Sequence, residues 1–96
     1  MVALGFAVEF EFDPAKSEAN KVKHGIDFVA AQELWYDLYA VDADAGHIEE
    51  ARRIRVGRIS GVLWTGVYVL RNGRVRIISV RRARIQERRR YEDNQR

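Results

Sequence analysis

Two short polar dipeptides, Ser60-Gly61 and Asn72-Gly73, separate three apolar runs and constrain the fold more than any other feature of the chain. A dipeptide such as Asn-Gly between apolar runs is the strongest short-range signal for a two-residue β-hairpin, because both of its positions tolerate a positive φ. The sequence therefore predicts an antiparallel meander with strands at 51–59, 62–71 and 74–82.

Two-residue turns also fix which residues lie opposite one another. Across the first turn, Arg53 is expected opposite Tyr68, and Val56 opposite Thr65. Across the second turn, the expected pairs are Tyr68 with Ile77, Val67 with Ile78 and Trp64 with Arg81.

This register divides the meander into two faces. One face is apolar, and the N-terminal helices are expected to pack on it: Ile54, Val56, Leu63, Val67, Val69, Ile78 and Val80. The other face is expected to carry Arg53, Arg55, Trp64, Tyr68, Ser79 and Arg81, with Leu70, Val75 and Ile77 near the second turn. Arginines beside exposed rings are typical of surfaces that bind single-stranded nucleic acid. The alternative is that a C-terminal helix covers Trp64 and Tyr68.

The first half of the chain predicts a strand and two helices. Residues 6–12 alternate apolar and acidic side chains from Val8 onward, as a strand does. Asp13 and Pro14 indicate a helix start, because Asp caps free amides and Pro fits the first helical position. Gly25 predicts a left-handed helix end, and Asp27 predicts the cap of a second helix. The expected core residues of that helix are Phe28, Ala31, Leu34, Trp35 and Leu38.

A further strand is expected at 38–44 and a polar C-terminal helix at 84–95. The expected fold class is therefore α+β: an antiparallel sheet with two N-terminal helices on one face and a C-terminal helix. A chain of 96 residues can build one core and little more, so 1–96 is predicted to be a single domain.

Charge is divided unequally between the two halves of the chain. Residues 1–50 hold three Lys, no Arg and eleven Asp or Glu, a net of −8, whereas residues 51–96 hold fourteen Arg and three Asp or Glu, a net of +11. Guanidinium groups suit bidentate recognition of phosphate or carboxylate. The sequence leaves three possible partners for these guanidinium groups: a nucleic acid, an acidic protein, or the chain's own acidic half.

Composition excludes several kinds of site. The chain has no Cys, which excludes disulfides, zinc–thiolate centres and cysteine nucleophiles. With only His24 and His47, a transition-metal site is not expected. No apolar run is long enough to span a membrane, and the N-terminus lacks the basic start of a signal peptide. We therefore expect a cytoplasmic protein without a cofactor.

Two blocks of sequence resemble the BrnT-like toxins of type II toxin–antitoxin modules. The first is FEFDPAK…N…KHGIDF at residues 10–28, and the second is RIISVRRA…ERRRYE at residues 76–92. The order and spacing of the blocks agree with that family, and one departure is Phe12, where the family usually has Trp. The resemblance implies a RelE-like fold, RNA cleavage that inhibits translation, and a cognate BrnA-like antitoxin through which alone the toxin would reach operator DNA.

Ribonuclease activity without a metal needs a base for the 2′-hydroxyl, an acid for the leaving 5′-oxygen and positive charge near the phosphate. The candidate catalytic residues are His24, Lys23, Arg81, Glu87 and Tyr91. The candidate RNA-binding residues are Arg53, Arg55, Trp64, Tyr68, Arg82, Arg84 and Arg88. His24 or Glu87 would move the proton, Lys23 would bind phosphate, and Arg81 would stabilise the transition state, with Arg82 as its substitute.

Each titratable candidate also has a structural alternative. His24 suits the negative end of a helix dipole, Glu87 suits an ion pair within its helix, and Tyr91 suits packing against the sheet. The alternative function is a binding module without catalytic activity that keeps its affinity for a nucleic acid or a protein.

Overall fold

A computed structural model describes residues 8–47 and 50–95 of the chain. Within these residues, the strands are β1 (Phe10–Glu11), β2 (Val41–His47), β3 (Ala51–Ile59), β4 (Val62–Arg71) and β5 (Arg74–Arg82). The helices are α1 (Pro14–His24), α2 (Phe28–Ala31), which continues as a 3₁₀ helix at Gln32–Tyr36, and α3 (Ile85–Asn94). No helix in this described part is both long and apolar enough to cross a membrane.

The predicted meander is confirmed, because β3, β4 and β5 occupy the predicted residues. Ser60 and Asn72 have φ values of 49° and 50°, and each is followed by a glycine with positive φ, as a type I′ turn requires. The strand predicted at 38–44 lies instead at Val41–His47. The first strand is confirmed at Phe10–Glu11, while residues 6–7 of that prediction lie outside the described residues.

The described strands form one sheet in the order β1-β5-β4-β3-β2. The prediction of a purely antiparallel sheet is wrong, because β1 pairs with β5 in parallel and the sheet is therefore mixed. A parallel pair needs a long crossover between its strands, which the chain between β1 and β5 supplies. The α+β class is confirmed.

A β-bulge in β5 changes the register predicted for its second half. Arg53 lies opposite Tyr68, and Tyr68 opposite Ile77, both as predicted. Val67 then lies opposite Ser79 rather than Ile78, so Ile78 is the extra residue of the bulge. One inserted residue moves every later side chain to the other face. Trp64 therefore pairs with Arg82 and not, as predicted, with Arg81.

The N-terminal helices cover the opposite face of the sheet from the one predicted. Their core residues cluster with Tyr68, Val75, Ile77 and Val80, whereas α3 covers Ile54 and Val56 through Tyr91. The reason lies in Gly57 and Gly66, which leave room for the side chain of Leu34. A Cβ at Gly57 or Gly66 would lie 3.1 or 3.0 Å from a Leu34 methyl carbon.

The helix caps follow the sequence. The side chain of Asp13 accepts a hydrogen bond from the N–H of Ala15, Asp27 accepts one from Ala30, and Gly25 ends α1 with a φ of 84°. Phe28, Ala31 and Leu34 are buried as predicted, and Trp35 is partly buried. The prediction for Leu38 is wrong, because its side chain is 95% exposed beyond the end of the 3₁₀ helix.

Asn20 joins α1 to the sheet where β1 has ended. Its side-chain amide donates to the carbonyls of Val80 (2.9 Å) and Ile26 (2.8 Å), and its carbonyl accepts from the N–H of Val80 (3.2 Å). β1 pairs only with residues 75 and 76 of β5, so the Asn20 amide replaces the missing strand partner at Val80.

We expect Asn20→Ala to lower the free energy of unfolding by about 2 kcal/mol, because it leaves buried backbone groups of Val80 and Ile26 without partners. Urea unfolding followed by circular dichroism measures the change. Lys16→Ala, an exposed change on the same helix, is the control and should stay within about 0.5 kcal/mol of the unchanged protein. Equal stability of both variants would contradict the role given to Asn20.

Candidate functional site

Most arginines of the meander are neutralised by other parts of the same chain. Six ion pairs form among the described residues, and five of them join the basic half to the acidic half. These five are Arg53–Asp44, Arg55–Asp42, Arg71–Glu50, Arg74–Glu9 and Arg76–Glu11. The chain's own acidic half therefore supplies the counter-charge for these arginines.

Three residues predicted to bind RNA, Arg53, Arg55 and Tyr68, lie on the face of the sheet that the N-terminal helices cover. Arg55 binds Asp42 at 2.7 Å and donates to the carbonyl of Leu34 at 2.8 Å, while the Tyr68 hydroxyl donates to Asp42 at 2.6 Å. Burial, together with the hydrogen bond to Asp42, raises the pKa of Tyr68 above its ordinary value. The hydrogen bond from Arg55 to Leu34 joins the helical layer to the sheet, and a contact of these side chains with RNA stays a prediction.

Glu87 joins α3 to the other face of the sheet. Its two oxygens accept a bidentate pair from Arg81 at 2.8 and 2.9 Å, and Oε1 also accepts from the Thr65 hydroxyl and the Arg84 N–H. Burial opposes ionisation, but these hydrogen bonds, led by that from Arg81, lower the pKa of Glu87 to about 2. Because so weak a base accepts a proton poorly near neutral pH, this geometry favours a structural role.

Tyr91 is packed and hydrogen-bonded in the same region. Its side chain is 2% exposed, and its hydroxyl donates to Asp37 at 2.8 Å. The guanidinium of Arg58 lies 5.5 Å from the centre of its ring. The contacts match the packing alternative for Tyr91, while proton donation by this residue stays a prediction.

Three other arginines line a cleft at the Ser60-Gly61 end of the sheet. It has a volume of about 260 Å³, and the residues that line it include Arg58, Arg82 and Arg88, with one carboxylate, Glu92. We call it the arginine cleft. None of the three guanidiniums forms an ion pair with a residue in the described ranges. Arg82 lies instead over the partly buried ring of Trp64, 5.6 Å from its centre.

His24 and Lys23 lie at the last turn of α1, which is directed towards the same end of the sheet. β1 pairs with the start of β5, and Asn20 binds Val80, so α1 advances in the direction of β5. His24 lies one helical turn beyond Asn20 on the same side, about 6 Å further along. Arg82 lies two residues beyond Val80, about 7 Å further along the strand. His24 and Arg82 thus both lie beyond the Asn20–Val80 contact, and neither His24 nor Lys23 is among the residues that line the arginine cleft.

A second depression adjoins the arginine cleft and shares Arg58 and Gly61 with it. It has a volume of about 600 Å³, and its lining includes Tyr36, Tyr39 and Tyr91. We call it the tyrosine pocket. The side chains of Tyr36 and Tyr39 are 71% and 54% exposed, so aromatic rings lie in the same depression as the guanidinium of Arg58.

Comparison with known proteins assigns the chain to a family. A family model described as the ribonuclease toxin BrnT of type II toxin–antitoxin systems matches residues 12–87. The chain belongs to the BrnT family. No curated protein matches the chain. Membership establishes a type II ribonuclease toxin at the level of the family, with RNA as substrate and an antitoxin as partner. Phe12, the first residue of the matched region, packs edge-to-face on Phe28 with ring centres 5.8 Å apart.

The structure brings together only part of the predicted site. Arg82 and Arg88 meet in the arginine cleft, and Arg84 is exposed at the N-terminus of α3. The single basic face predicted for the meander is wrong, because the bulge turns Arg81 away from Tyr68. Sequence reasoning missed Arg58, although its place two residues before the Ser60-Gly61 turn was a usable signal. None of the His, Asp and Glu residues in the described ranges group in threes as metal ligands would.

Proposed function

We propose that this BrnT-family protein is a metal-independent endoribonuclease toxin with a RelE-like fold, built as a single domain over 1–96. It cuts RNA in the cytoplasm and so inhibits translation. Family membership supports the ribonuclease activity. The observation that carries the proposal is the arginine cleft, where three guanidiniums that form no ion pair with residues 8–47 or 50–95 are available to phosphate.

The reaction uses the nucleophile that RNA itself carries, so no metal-bound water is needed. His24 accepts the proton of the 2′-hydroxyl, and the O2′–P bond forms as the P–O5′ bond breaks. The departing 5′-oxygen takes a proton from water in the open cleft, and the hydroxide so formed takes the proton that His24 accepted, which regenerates the base. Lys23, Arg82 and Arg88 bind the phosphate and stabilise the charge that develops on it. The products are a 2′,3′-cyclic phosphate end and a 5′-hydroxyl end.

Arg81, Glu87 and Tyr91 act in this scheme as positioning residues. The Arg81–Glu87 pair and the hydrogen bond from Tyr91 to Asp37 anchor α3 on the sheet. Since Arg88 follows Glu87 on that helix, the anchor fixes the direction from which Arg88 reaches the cleft. Arg84, at the start of α3, extends the surface available to RNA phosphates.

A cognate BrnA-like antitoxin neutralises the toxin in this proposal. An antitoxin segment with carboxylates would occupy the arginine cleft and exclude phosphate from it. The DNA-binding part of the antitoxin would contact the operator, so the toxin would reach DNA only indirectly.

RNA cleavage by the purified protein in a metal chelator tests the function. We expect 2′,3′-cyclic phosphate ends, and we expect His24→Ala to lower the initial rate by about a hundredfold, the usual scale for a general base. Val22→Ala, which alters an 88% exposed residue of the same helix, is the matched control and should keep the full rate.

Three results would count against the proposal in different ways. Intact RNA after incubation with the unchanged protein would leave the binding module as the better function. Cleavage that stops in chelator would remove metal independence. A His24→Ala variant with full activity would remove only the role of that residue.

A further inference from the structure

The tyrosine pocket has no part in the scheme above, yet it adjoins the arginine cleft. Its lining includes Asp37 and the 2% exposed Tyr91 together with the largely exposed Tyr36 and Tyr39. An exposed tyrosine ring offers a flat face to a partner at little conformational cost, because it has few rotatable bonds. The pocket thus presents two tyrosine rings to solvent beside the guanidinium of Arg58, which also lines the arginine cleft.

The pocket is built in advance, because Asp37 fixes the segment that carries both rings. One oxygen of Asp37 accepts from the N–H of Arg58 and from the Tyr91 hydroxyl, both at 2.8 Å, and the other accepts from the N–H of Tyr39 at 2.9 Å. Asn94 of α3 also donates to the carbonyl of Tyr39 at 3.0 Å. Two elements, β3 and α3, therefore hold the segment, and a ligand would not have to order it.

Adjacency to the cleft indicates what kind of ligand the pocket takes. The two depressions share Arg58 and Gly61, so a molecule with its anionic group among the arginines can place a neighbouring group against the tyrosines. A nucleotide has this form, with a charged phosphate beside a flat base. Proteins bind single-stranded nucleic acid in this way: bases stack on aromatic side chains, and guanidinium groups contact the phosphates of the nucleic-acid backbone.

We propose that the tyrosine pocket is a nucleobase subsite. It holds an unpaired base of the RNA strand against Tyr36 or Tyr39 while the arginine cleft holds the adjacent phosphate. The subsite rests on the proposed ribonuclease function and adds to it a means of choosing where a strand is cut. Because a paired base cannot enter the pocket, single-stranded RNA binds better than duplex RNA.

Binding of a short 2′-O-methyl RNA, which lacks the attacking hydroxyl and stays uncut, tests the subsite. We expect Tyr36→Ala with Tyr39→Ala to weaken binding in fluorescence anisotropy by about tenfold, the scale of one lost stacking contact. Tyr36→Phe with Tyr39→Phe keeps the rings and should keep the affinity. Val29→Ala, an exposed apolar change outside the pocket, is the control.

An abasic scan of the same oligonucleotide identifies the base that enters. For the unchanged protein, removal of one particular base should weaken binding by about tenfold. For the double alanine variant, the same removal should change nothing further, because the two changes delete one contact. Equal losses for both proteins at every position would overturn the subsite.

Two further outcomes separate the subsite from the function and from a rival occupant. If the double alanine variant binds RNA fully while Arg82→Ala with Arg88→Ala does not, the subsite is overturned and the ribonuclease function stands. If the tyrosine variants bind RNA fully but bind the neutralising antitoxin weakly, the pocket is a protein-docking surface and the base assignment is overturned. If the unchanged protein does not bind RNA, both proposals fail.

Discussion

Replacing Arg82 and Arg88 together with alanine should lower the rate of RNA cleavage by about a thousandfold, because each removes a cationic contact worth about ten- to a hundredfold in the transition state. The fold should be kept. Neither guanidinium has an ion-pair partner in the part of the chain that the structure describes, so no buried carboxylate is stranded by the change. Initial rates on a labelled RNA, with circular dichroism as a check of folding, measure the effect.

A matched control separates the cleft from general electrostatic attraction. Arg52→Ala with Arg89→Ala removes the same charge from exposed positions outside the cleft. That variant should lose less than about threefold. Affinity for uncut RNA should also fall less steeply with salt in the Arg82 and Arg88 variant, by about one unit of slope on logarithmic axes, because fewer counterions are released. Equal losses in the two double variants would show that only net charge matters.

Local signals in the sequence were sufficient for the elements but not for their faces. The turns at Ser60-Gly61 and Asn72-Gly73 depend on two residues each, so they could be predicted. The bulge at Ile78 could not be predicted, because it depends on packing across the sheet rather than on the residues next to it in sequence. That one residue reversed the side on which Arg81 lies and separated it from the predicted basic face.

The segregation of charge between the two halves of the chain also could not predict what the arginines bind. Fourteen arginines and an acidic first half fit binding to RNA and fit pairing within the chain equally well. Only the strand order decides between them, since it places Asp42 and Asp44 of β2 opposite Arg55 and Arg53 of β3. Arg58 lies two residues beyond Val56, the last residue of β3 in this direction that pairs with β2, so β2 places no carboxylate opposite it.

Glu87→Ala should lower the free energy of unfolding at pH 7 by about 4 kcal/mol, because it leaves the partly buried Arg81 without its bidentate partner and removes acceptors from Thr65 and the Arg84 N–H. Asp93→Ala, which removes an exposed acid from the same helix, is the control and should cost less than about 0.5 kcal/mol. Urea unfolding of both variants measures the difference.

The dependence on pH gives an independent reading of the same contact. The folded pKa of Glu87 is about 2, below the ordinary value of 4.5, so the folded protein binds this proton less readily than the unfolded chain. The stabilisation is therefore complete above about pH 4.5 and is lost as the pH falls towards 2, on the order of 2 kcal/mol after allowance for solvent screening. Glu87→Gln should remove that part of the acid sensitivity. A Glu87→Ala variant that unfolds like the unchanged protein but no longer cuts RNA would contradict this account. Glu87 would then be a catalytic residue rather than the residue that anchors α3 on the sheet.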